Sequence, residues 1–412
     1  MSLTTAGNRR GSRASRSRVA AVATVACLTL LAACGSSEDD NATDGASSAD
    51  DSGVVAEAKA AVEQNRKGTD RALPESGPAP LADQNIWVIS CLEAGEGCAA
   101  PAAGAKEAGE AIGWDVTVFD GKGTPDVYAQ GIRTAIADKA DGIILDVIDC
   151  IAAKGALEEA KTAGIPLFAF YAFDCDDPLL GEGGEPLFDA ELLFEDGQSW
   201  MERIENVQAK SVADYVIAET DGAAKVIEFT EDELLVARHL YGGFEKRLAE
   251  CGGCEVVAKV PFTLADLATG KLQAKAAAAL TQNPDANVVY SPYDAALSLG
   301  IAQAVTASGR DADLLVTGQE GLSANIAAAA EGKGQDMVAG APARWVGWAA
   351  IDGMNRLLQG EPQVDAGIGN QTLDASSPSM PTETTYYDGN IGADGKPLQD
   401  YEANYRTIWG LS

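Results

Sequence analysis

Residues 141–170 read DGIILDVIDCIAAKGALEEAKTAGIPLFAF and predict a strand, a helix and a second strand. Gly142–Asp146 and Pro166–Phe170 are short apolar runs without polar alternation, and Ile151–Ala163 between them has the spacing of an amphipathic helix. Short, continuously apolar strands that alternate with helices are typical of a parallel sheet covered on both faces. This stretch therefore predicts an α/β fold.

The same rhythm extends on both sides of this unit. Upstream, the predicted elements are the strands Ile86–Ser90 and Asp115–Phe119 and the helices Ala100–Ile112 and Asp126–Ala137. The segment Cys175–Ile204 interrupts the pattern, and a second series of elements follows it. Its predicted strands are Lys225–Phe229, Val256–Val260, Asn287–Ser291, Leu314–Gly318 and Met337–Ala341, and its predicted helices are Asn206–Glu219, Arg238–Ala249, Ala268–Gln282, Ala295–Ala307 and Leu322–Ala330. We therefore predict two doubly wound parallel-sheet lobes.

The composition is that of an acidic globular protein. The 412 residues are 46% hydrophobic and 22% charged, which is enough apolar material for a full core. The chain has 30 basic and 62 acidic side chains and a net charge of −32, and such a field repels phosphate backbones and anionic lipid head groups. Nucleic-acid recognition is therefore disfavoured.

The N-terminus predicts export and lipidation. Several arginines precede the apolar stretch Val19–Ala33, which is too short for an ordinary transmembrane helix. The run Leu31-Ala32-Ala33-Cys34-Gly35 resembles a bacterial lipobox, so we predict a signal peptide over residues 1–33 and a lipid anchor, such as palmitate, on Cys34. The expected location is the extracytoplasmic face of the bacterial cell membrane.

Two segments separate this anchor from the fold. Residues 34–53 are rich in Ser, Asp, Gly and Ala and contain no basic residue, which predicts a disordered tether. Residues 54–83 are predicted to be a lead-in segment, with helical spacing over Val54–Gln64 and three prolines after it. The fold proper is expected to begin near Asp83.

Six cysteines remain after the signal peptide and Cys34, an even number that suits an oxidising compartment. Proximity in the sequence favours the pairs Cys91–Cys98 and Cys251–Cys254, which leaves Cys150 with Cys175. Cys251-Gly-Gly-Cys254 could instead be a redox centre, but its place between a predicted helix and a predicted strand favours a structural disulfide. With one histidine in the chain and no zinc-finger spacing, we expect no metal and no cofactor.

In doubly wound sheets, ligands bind beyond the carboxyl ends of the strands, so the loops there supply candidate ligand-binding residues. The candidates are Cys91, Glu93, Asp120, Asp146, Asp149 and Tyr171 in the first lobe and Tyr293, Asp294 and Glu320 in the second. A carboxylate can bridge two adjacent hydroxyl groups while an aromatic ring covers an apolar ring face, so this set suits a sugar. Each aspartate taken alone could instead cap a helix.

Four segments resemble, in order and spacing, the landmarks of the type I periplasmic sugar-binding proteins, the ribose/galactose-type solute receptors of ABC importers. They are Asp141–Leu145, Ala163–Leu167, Arg238–Phe244 and Gly318–Gly321. The resemblance implies that residues 84–204 and 341–370 form an N-terminal lobe and residues 205–340 and 371–412 a C-terminal lobe. Three crossovers between the lobes would form a hinge that lets the cleft close over a ligand.

The resemblance also implies roles for particular residues. Arg238 is similar to an arginine that clamps sugar hydroxyl groups, and Asp146 and Glu320 are similar to the acidic residues after two strands. Glu205 and Asn206 resemble the Asp-Asn pair at the first crossover. Two departures concern ligand identity: Tyr293 precedes Asp294 where the family often has Asn, and Arg344 and Trp345 follow the second crossover, near which the family has Gln.

The implied function is that of a monomeric, non-catalytic lipoprotein that captures a sugar or polyol and delivers it to the permease subunit of an ABC transporter. The same fold could serve as the sensory subunit of a signalling system or bind a solute other than a sugar. The enzymatic alternatives are an extracellular glycosidase using Asp146 with Glu320 and a thiol oxidoreductase using Cys251. His239 is interpreted as a surface or helix-packing residue.

Overall fold

The computed structural model describes residues 48–181, 184–377, 380–381 and 385–411. The predicted signal peptide, Cys34 and most of the predicted tether lie outside the described residues. The strands are β1 (Asn85–Ser90), β2 (Asp115–Asp120), β3 (Gly142–Asp146), β4 (Leu167–Phe170), β5 (Ala190–Glu191), β6 (Lys225–Glu231), β7 (Glu255–Phe262), β8 (Val288–Tyr290), β9 (Leu315–Glu320), β10 (Met337–Gly340) and β11 (Gln371–Asp374). The helices are α1 (Ser48–Lys67), α2 (Glu96–Ala111), α3 (Pro125–Ala137), α4 (Cys150–Thr162), α5 (Trp200–Arg203), α6 (Lys210–Glu219), α7 (Leu235–Leu248), α8 (Leu264–Ala268), α9 (Lys271–Gln282), α10 (Asp294–Ala296), α11 (Ala302–Ser308), α12 (Ser323–Glu331), α13 (Arg344–Gln359) and α14 (Tyr401–Ile408).

The first lobe is built on a parallel sheet with the strand order β2-β1-β3-β4-β5. Successive residues of β3 enter different cores, since Ile143 and Leu145 pack on one face of the sheet and Ile144 packs on the other. Helices α3 and α4 cover the first face, and α2 and α13 cover the second. All five residues of β3 are therefore buried, which explains the absence of polar alternation in its sequence.

The second lobe is built on a sheet with the strand order β11-β10-β9-β8-β6-β7, in which only the pairing of β11 with β10 is antiparallel. Ile227 and Val289 pack on one face with α9 and α11. Val226 and Val288 pack on the other face with α1, α6 and α7. The prediction of two doubly wound lobes is confirmed.

Three predicted helices are less regular than their spacing suggested. The predicted helix Ala268–Gln282 corresponds to α9, which starts three residues later, after Gly270 with a φ of 70°, and the separate short helix α8 precedes it. A π-helical turn, Leu297–Ile301, lies between α10 and α11. Another π-helical turn, Ile204–Ala209, joins α5 to α6 at the passage from the first lobe to the second. The chain returns to the first lobe at residues 341–343 and reaches the second again at β11.

The C-terminal helix does not follow the expected path. Residues 371–412 were expected in the second lobe, but α14 packs on α13 in the core of the first. Trp409 stacks on Trp348 with 5.8 Å between the ring centroids, and its indole Nε1–H donates to Asp352 Oδ1 at 2.8 Å. Tyr401 stacks on Trp345 at 5.4 Å. Packing on the aromatic side chains of α13 therefore places α14 in the first lobe. The spacing of residues along the sequence did not predict this contact.

The N-terminal helix also begins earlier than expected. Residues 48–53 were predicted as part of the tether, but α1 starts at Ser48. Ala58 and Val62 of this helix are buried against α6 of the second lobe. Arg66 near its end pairs with Asp374 at 2.6 Å, so tertiary packing stabilises a helix that composition alone disfavoured. No helix among the described residues is long and apolar enough to cross a bilayer.

The three predicted disulfides are present: Cys91–Cys98, Cys150–Cys175 and Cys251–Cys254. The first links the end of β1 to α2, and the second links the start of α4 to the loop after β4. The third lies in the turn between α7 and β7, and not at the N-terminus of a helix. This placement supports the structural interpretation of Cys251-Gly-Gly-Cys254.

Candidate ligand-binding site

The two lobes are in contact through the carboxyl ends of their sheets. Asp149, which precedes α4 in the first lobe, accepts a hydrogen bond from the backbone N–H of Leu235, the first residue of α7 in the second. Glu96 of α2 accepts one from the backbone N–H of Ser323, the first residue of α12, at 2.9 Å. Tyr171 at the end of β4 donates to the carbonyl oxygen of Pro342 at 2.9 Å. The strand ends of both lobes therefore enclose an interlobe cleft.

Asp146 supplies the most unusual polar group of this cleft. It ends β3 with 0% exposure, and neither carboxylate oxygen has a well-formed hydrogen bond to the described residues. The Ser90 hydroxyl, at the end of the adjacent β1, is likewise buried and unpaired. Burial raises the pKa of Asp146 well above its ordinary value and the charge of Glu93 raises it further, while the nearby Ser90 hydroxyl acts in the opposite direction. An unsatisfied buried carboxyl is costly, so it is suited to accept hydrogen bonds from a bound molecule.

The second lobe presents a similar pair. Tyr293, after β8, is buried and its hydroxyl has no partner among the described residues. Glu231 ends β6, and one of its oxygens accepts the backbone N–H of Glu233 at 2.6 Å while Oε2 is buried and unpaired. Burial raises the pKa of Glu231 to about 7. Burial and then the charges of Glu231 and Glu320 raise the pKa of Tyr293, which places the three groups near one another.

Glu320 at the end of β9 lies between the lobes. Its Oε2 accepts the backbone N–H of Asp294 at 3.1 Å. Its Oε1 lies close to Gly97 of the first lobe, only 3.5 Å from the position that a Cβ atom would take there. Burial and the neighbouring charge of Asp294 raise the pKa of Glu320 to about 8. Its φ of 109° and the φ of 52° at Tyr171 are unusual for residues with side chains, and both occur at strand ends that face the cleft.

An aromatic wall borders the first-lobe side of the cleft. The ring of Tyr171 lies 4.4 Å from that of Trp200 on α5, between their centroids. The indole Nε1–H of Trp200 is buried without a partner among the described residues. Arg203, one turn further along, is buried, and its guanidinium donates to the carbonyl oxygen of Gly369 at 2.6 Å. Burial lowers the pKa of Arg203 to about 10, which leaves it positively charged at neutral pH.

Three predicted carboxylates are used by the loops themselves. Asp120 accepts the backbone N–H groups of Glu93 and Lys122, both at 3.0 Å, and these hydrogen bonds lower its pKa. Asp149 accepts from Phe173 at 3.1 Å, and Asp294 accepts from Gly321 at 2.9 Å. These hydrogen bonds shape the strand-end loops, and Asp149 precedes α4 without a side-chain cap hydrogen bond to that helix. Cys91 is likewise committed to its disulfide.

The remaining predicted residues do not join the buried group. Arg238 donates to the carbonyl oxygen of Leu179 at 3.3 Å on the outer rim of the cleft. Asn206 is exposed and lies 3.5 Å from Lys246 Nζ. Arg344 pairs with Glu107 and Glu402 outside the cleft, and Trp345 is fully buried in the first-lobe core. Glu205 contacts His239.

Sequence reasoning missed four residues of this region. Ser90 and Glu231 are the last residues of their strands, so the strand-end argument contained the signal for them. Trp200 and His239 gave no such signal, because their positions depend on how the crossover segment folds. His239 is neither a surface residue nor packed within its own lobe: it is 2% exposed and lies between the lobes.

A cavity of about 420 Å³ opens beside the cleft. Its lining includes Glu96, Ser323, Arg344, Tyr386 and Asp388. It does not include Asp146, Tyr293 or Glu231. The unpaired buried groups, and not this open cavity, therefore mark the candidate binding site.

Comparison with solved structures identifies proteins of the same fold. The periplasmic binding protein component of the arabinose ABC transporter from Shewanella sp. ANA-3, bound to L-arabinofuranose, is 18% identical with a TM-score of 0.58, covering 70% of this chain and 92% of its own. An ABC transporter solute-binding protein from Bacillus halodurans C-125 with bound myo-inositol is 19% identical with a TM-score of 0.59, covering 71% and 95%. One from Actinobacillus succinogenes 130z with bound D-allose is 20% identical with a TM-score of 0.58, covering 71% and 98%.

A comparison with curated proteins gives no match. The family model described as "Periplasmic binding protein domain" matches residues 93–362, which is more than half of the chain. This span contains residues of the candidate site from both lobes, among them Asp146 and Glu320. The chain therefore belongs to the periplasmic binding protein domain family and has the type I fold of that family.

Proposed function

We propose that this protein is an extracytoplasmic solute-binding lipoprotein that captures a neutral sugar or polyol between its lobes and delivers it to an ABC transporter permease. The observation that carries the proposal is the buried, unpaired carboxyl of Asp146 facing a cleft closed by the second lobe. The similar structures contain arabinofuranose, myo-inositol and allose, which are neutral polyhydroxylated molecules.

The chemistry of the cleft favours a ligand that donates hydrogen bonds. Asp146 and Glu231 offer carboxyl oxygens, and the hydroxyls of Ser90 and Tyr293 can accept as well as donate. Sugar hydroxyl groups can satisfy several such acceptors together, while the wall of Tyr171 and Trp200 can cover an apolar ring face. Sugar hydroxyl groups that donate to these carboxyl groups favour their ionised form, and ionised carboxylates repel anions, so sugar phosphates and uronic acids are expected to bind more weakly than neutral sugars.

Capture and release follow from the two-lobed architecture. A ligand that contacts Asp146 in one lobe and Tyr293 in the other gains the second set of contacts only when the cleft is closed. Binding therefore shifts the equilibrium between open and closed forms towards the closed one. A permease that recognises the closed form would then receive loaded receptors.

The lipid anchor is the part of this proposal that depends on sequence alone. The lipobox-like run ending at Cys34 supports it. Labelling of cells with radioactive palmitate should mark the wild-type protein and leave a Cys34→Ala variant unmarked. Equal labelling of both proteins would show that Cys34 is not the attachment site.

The proposal expects binding without turnover. The Oε2 atom of Glu320 is already held by a backbone N–H, and Cys251 is held in a disulfide, so neither is arranged as a free catalytic group. A ligand bound to the protein should be recovered chemically unchanged. Consumption of any sugar by the purified protein would support the glycosidase alternative instead.

Isothermal titration of the purified protein with L-arabinose, myo-inositol and D-allose tests the proposal. We expect saturable binding of at least one neutral sugar or polyol, and at least roughly tenfold weaker binding by Asp146→Asn, because a buried charge-assisted hydrogen bond contributes about 1.5–3 kcal/mol. Asp120→Asn is the matched control, since its carboxylate is used within its own loop. Unchanged affinity in Asp146→Asn would remove Asp146 from the site, and binding confined to amino acids or nucleosides in a wider panel would exclude a sugar ligand.

A further inference from the structure

His239 on α7, the one histidine of the sequence, contacts both the first lobe and the crossover. Its Nε2 lies 2.8 Å from Oδ2 of Asp177, in the loop after β4 of the first lobe. Its Nδ1 lies 2.7 Å from Oε1 of Glu205, in the π-helical turn between the lobes. Its ring stacks on Phe173 of the first lobe, with 4.5 Å between the ring centroids and 19° between the planes.

Both ring nitrogens thus face carboxyl oxygens, and ionised carboxylates can only accept hydrogen bonds. A neutral imidazole has one N–H, so it can donate to one of the two carboxylates. At the other contact, the unprotonated ring nitrogen and a carboxylate oxygen would face each other as two acceptors. The observed arrangement of His239, Asp177 and Glu205 therefore needs one further proton, on the ring or on one of the carboxyls. A protonated ring also gains from stacking against the face of Phe173.

The other charged groups near the ring do not replace the positive charge of a protonated His239. Asp149, before α4, lies close enough to His239 for the histidine to lower the pKa of this carboxyl, and it adds a third acidic group. Arg238, adjacent on the same helix, directs its guanidinium to the carbonyl oxygen of Leu179. The second oxygen of Asp177 accepts the backbone N–H of Leu179 at 2.9 Å, which fixes this carboxylate in place. The surroundings of His239 are therefore acidic.

These contacts cross the cleft, so opening of the lobes separates His239 from Asp177 and Phe173. In the open form His239 then faces one carboxyl, that of Glu205, which a neutral imidazole can satisfy with its one N–H, so reclosure has to take up the further proton. We propose that His239, Asp177 and Glu205 form a proton-dependent interlobe clasp that stabilises the closed cleft. This inference rests on the proposed function in one respect, which is that ligand capture depends on the same closure of the cleft.

The sign of the pH effect follows from proton counting. The closed arrangement of His239, Asp177 and Glu205 needs one proton more than the open one, so the ratio of closed to open protein is highest in acid and falls as the pH rises. Exchange of one proton limits the fall to about tenfold per pH unit. Ligand affinity includes the free energy of closure, so it should also fall as the pH rises.

The ligand-free full chain is the sample for the test, with spin labels introduced at Lys154→Cys in the first lobe and Thr269→Cys in the second. Both positions are exposed and lie on helices or turns that follow strand ends. Pulsed electron paramagnetic resonance gives the interlobe distances and hence the closed-to-open ratio at pH 6 and pH 8.5. We expect the ratio to fall at least about fivefold in the wild type, and to be low and nearly independent of pH in His239→Gln.

Lys246→Gln is the matched control, because Lys246 is exposed on the same helix and its Nζ contacts Asn206, so this variant should keep the pH dependence. Asp177→Asn leaves the histidine in place and should also weaken the clasp, which covers the case that His239→Gln fails to fold. A wild-type ratio that does not change with pH, a protein that remains open at both pH values, or an unaltered pH profile in His239→Gln and Asp177→Asn would overturn the proposal. Because no sugar is present, a failure of the clasp is distinguishable from a failure of sugar binding.

Discussion

The carboxylate of Glu96 accepts a hydrogen bond from the backbone N–H of Ser323 at 2.9 Å and contacts its hydroxyl group. Glu96 lies in the first turn of α2 in the first lobe, and Ser323 is the first residue of α12 in the second. The acid thus caps a helix of the opposite lobe, where unpaired backbone N–H groups favour a negative charge. This contact can exist only while the cleft is closed.

Replacing Glu96 by Ala should weaken ligand binding without weakening either lobe. Loss of the interlobe cap should cost the closed form about 1 kcal/mol, which corresponds to roughly fivefold lower affinity. Calorimetric titration with the best sugar ligand measures the effect, and the melting temperature of the ligand-free protein should not change. Glu110→Ala on the exposed face of the same helix is the control, and an equal loss in that variant would contradict the capping role.

Tyr293→Phe should weaken sugar binding about fivefold, because the hydroxyl is buried without a partner among the described residues and can bond to a ligand. The stability of the ligand-free protein should be unchanged or slightly higher, since an unpaired hydroxyl is removed. Thermal melts and titrations of the same preparation separate the two effects. A variant with lower melting temperature and unaltered affinity would assign Tyr293 to the core.

Arg238→Ala should reduce affinity less than roughly threefold, because the guanidinium reaches only a rim carbonyl at 3.3 Å and lies outside the buried group. The family resemblance implied a hydroxyl clamp at this position, so the variant distinguishes the two interpretations. A tenfold or greater loss would show that Arg238 reaches the ligand.

Glu228→Gln should stabilise the second lobe at alkaline pH. Glu228 has 0% exposure, and burial together with the neighbouring Glu245 raises its pKa well above the ordinary value. The folded state therefore favours the protonated form, so stability is fully present below the unfolded-state pKa of about 4.3 and is lost as the pH rises towards the folded-state pKa. Denaturant unfolding at pH 5 and pH 9 should give a larger advantage of the variant at pH 9. A stability advantage of Glu228→Gln at pH 9 that is equal to or smaller than its advantage at pH 5 would show that ionisation of Glu228 does not destabilise the folded state.

The disulfides should contribute unequally to stability. The Cys150–Cys175 bridge has a sequence separation of 25 and the Cys251–Cys254 bridge one of 3. Loop-closure entropy predicts a loss of about 3 kcal/mol for the double serine variant of the first pair and about 2 kcal/mol for the second. Urea unfolding of both variants measures the difference. Thiol–disulfide exchange turnover by the wild type, lost with the second pair, would revive the redox interpretation of Cys251.

Trp409→Ala should destabilise the first lobe by about 3–5 kcal/mol, because the ring is buried against Trp348 and its Nε1–H is bonded to Asp352. Arg406→Ala on the exposed side of the same helix should cost less than ~1 kcal/mol. Circular-dichroism melts of both variants provide the measurement. Equal melting temperatures would place α14 outside the cooperative unit of the first lobe.

The strand–helix rhythm of the two lobes could be predicted because each buried strand has to be apolar along its whole length. Gly142–Asp146 is a clear case, with the same bounds in sequence and structure. The strand-end rule also predicted the positions of Asp146, Tyr293 and Glu320 at or just after the carboxyl ends of their strands, since it requires only the position of each strand and the direction of the sheet. Two of the three disulfides followed from short separations in the sequence, and the pairing of Cys150 with Cys175 followed by elimination.

Other features depend on contacts between residues far apart in the sequence. Whether a predicted carboxylate is free or used by a loop is decided by backbone N–H groups that arrive from elsewhere, as Leu235 does for Asp149. The return of α14 to the first lobe depends on the aromatic surface of α13, and the position of His239 depends on how two lobes meet. The sequence alone therefore determined the fold class, the two lobes and the strand ends that meet between them, because these follow from local periodicity. Only the tertiary structure decided which side chains there remain unpaired and which join the lobes, because hydrogen-bond satisfaction in a buried cleft is a property of the assembled chain.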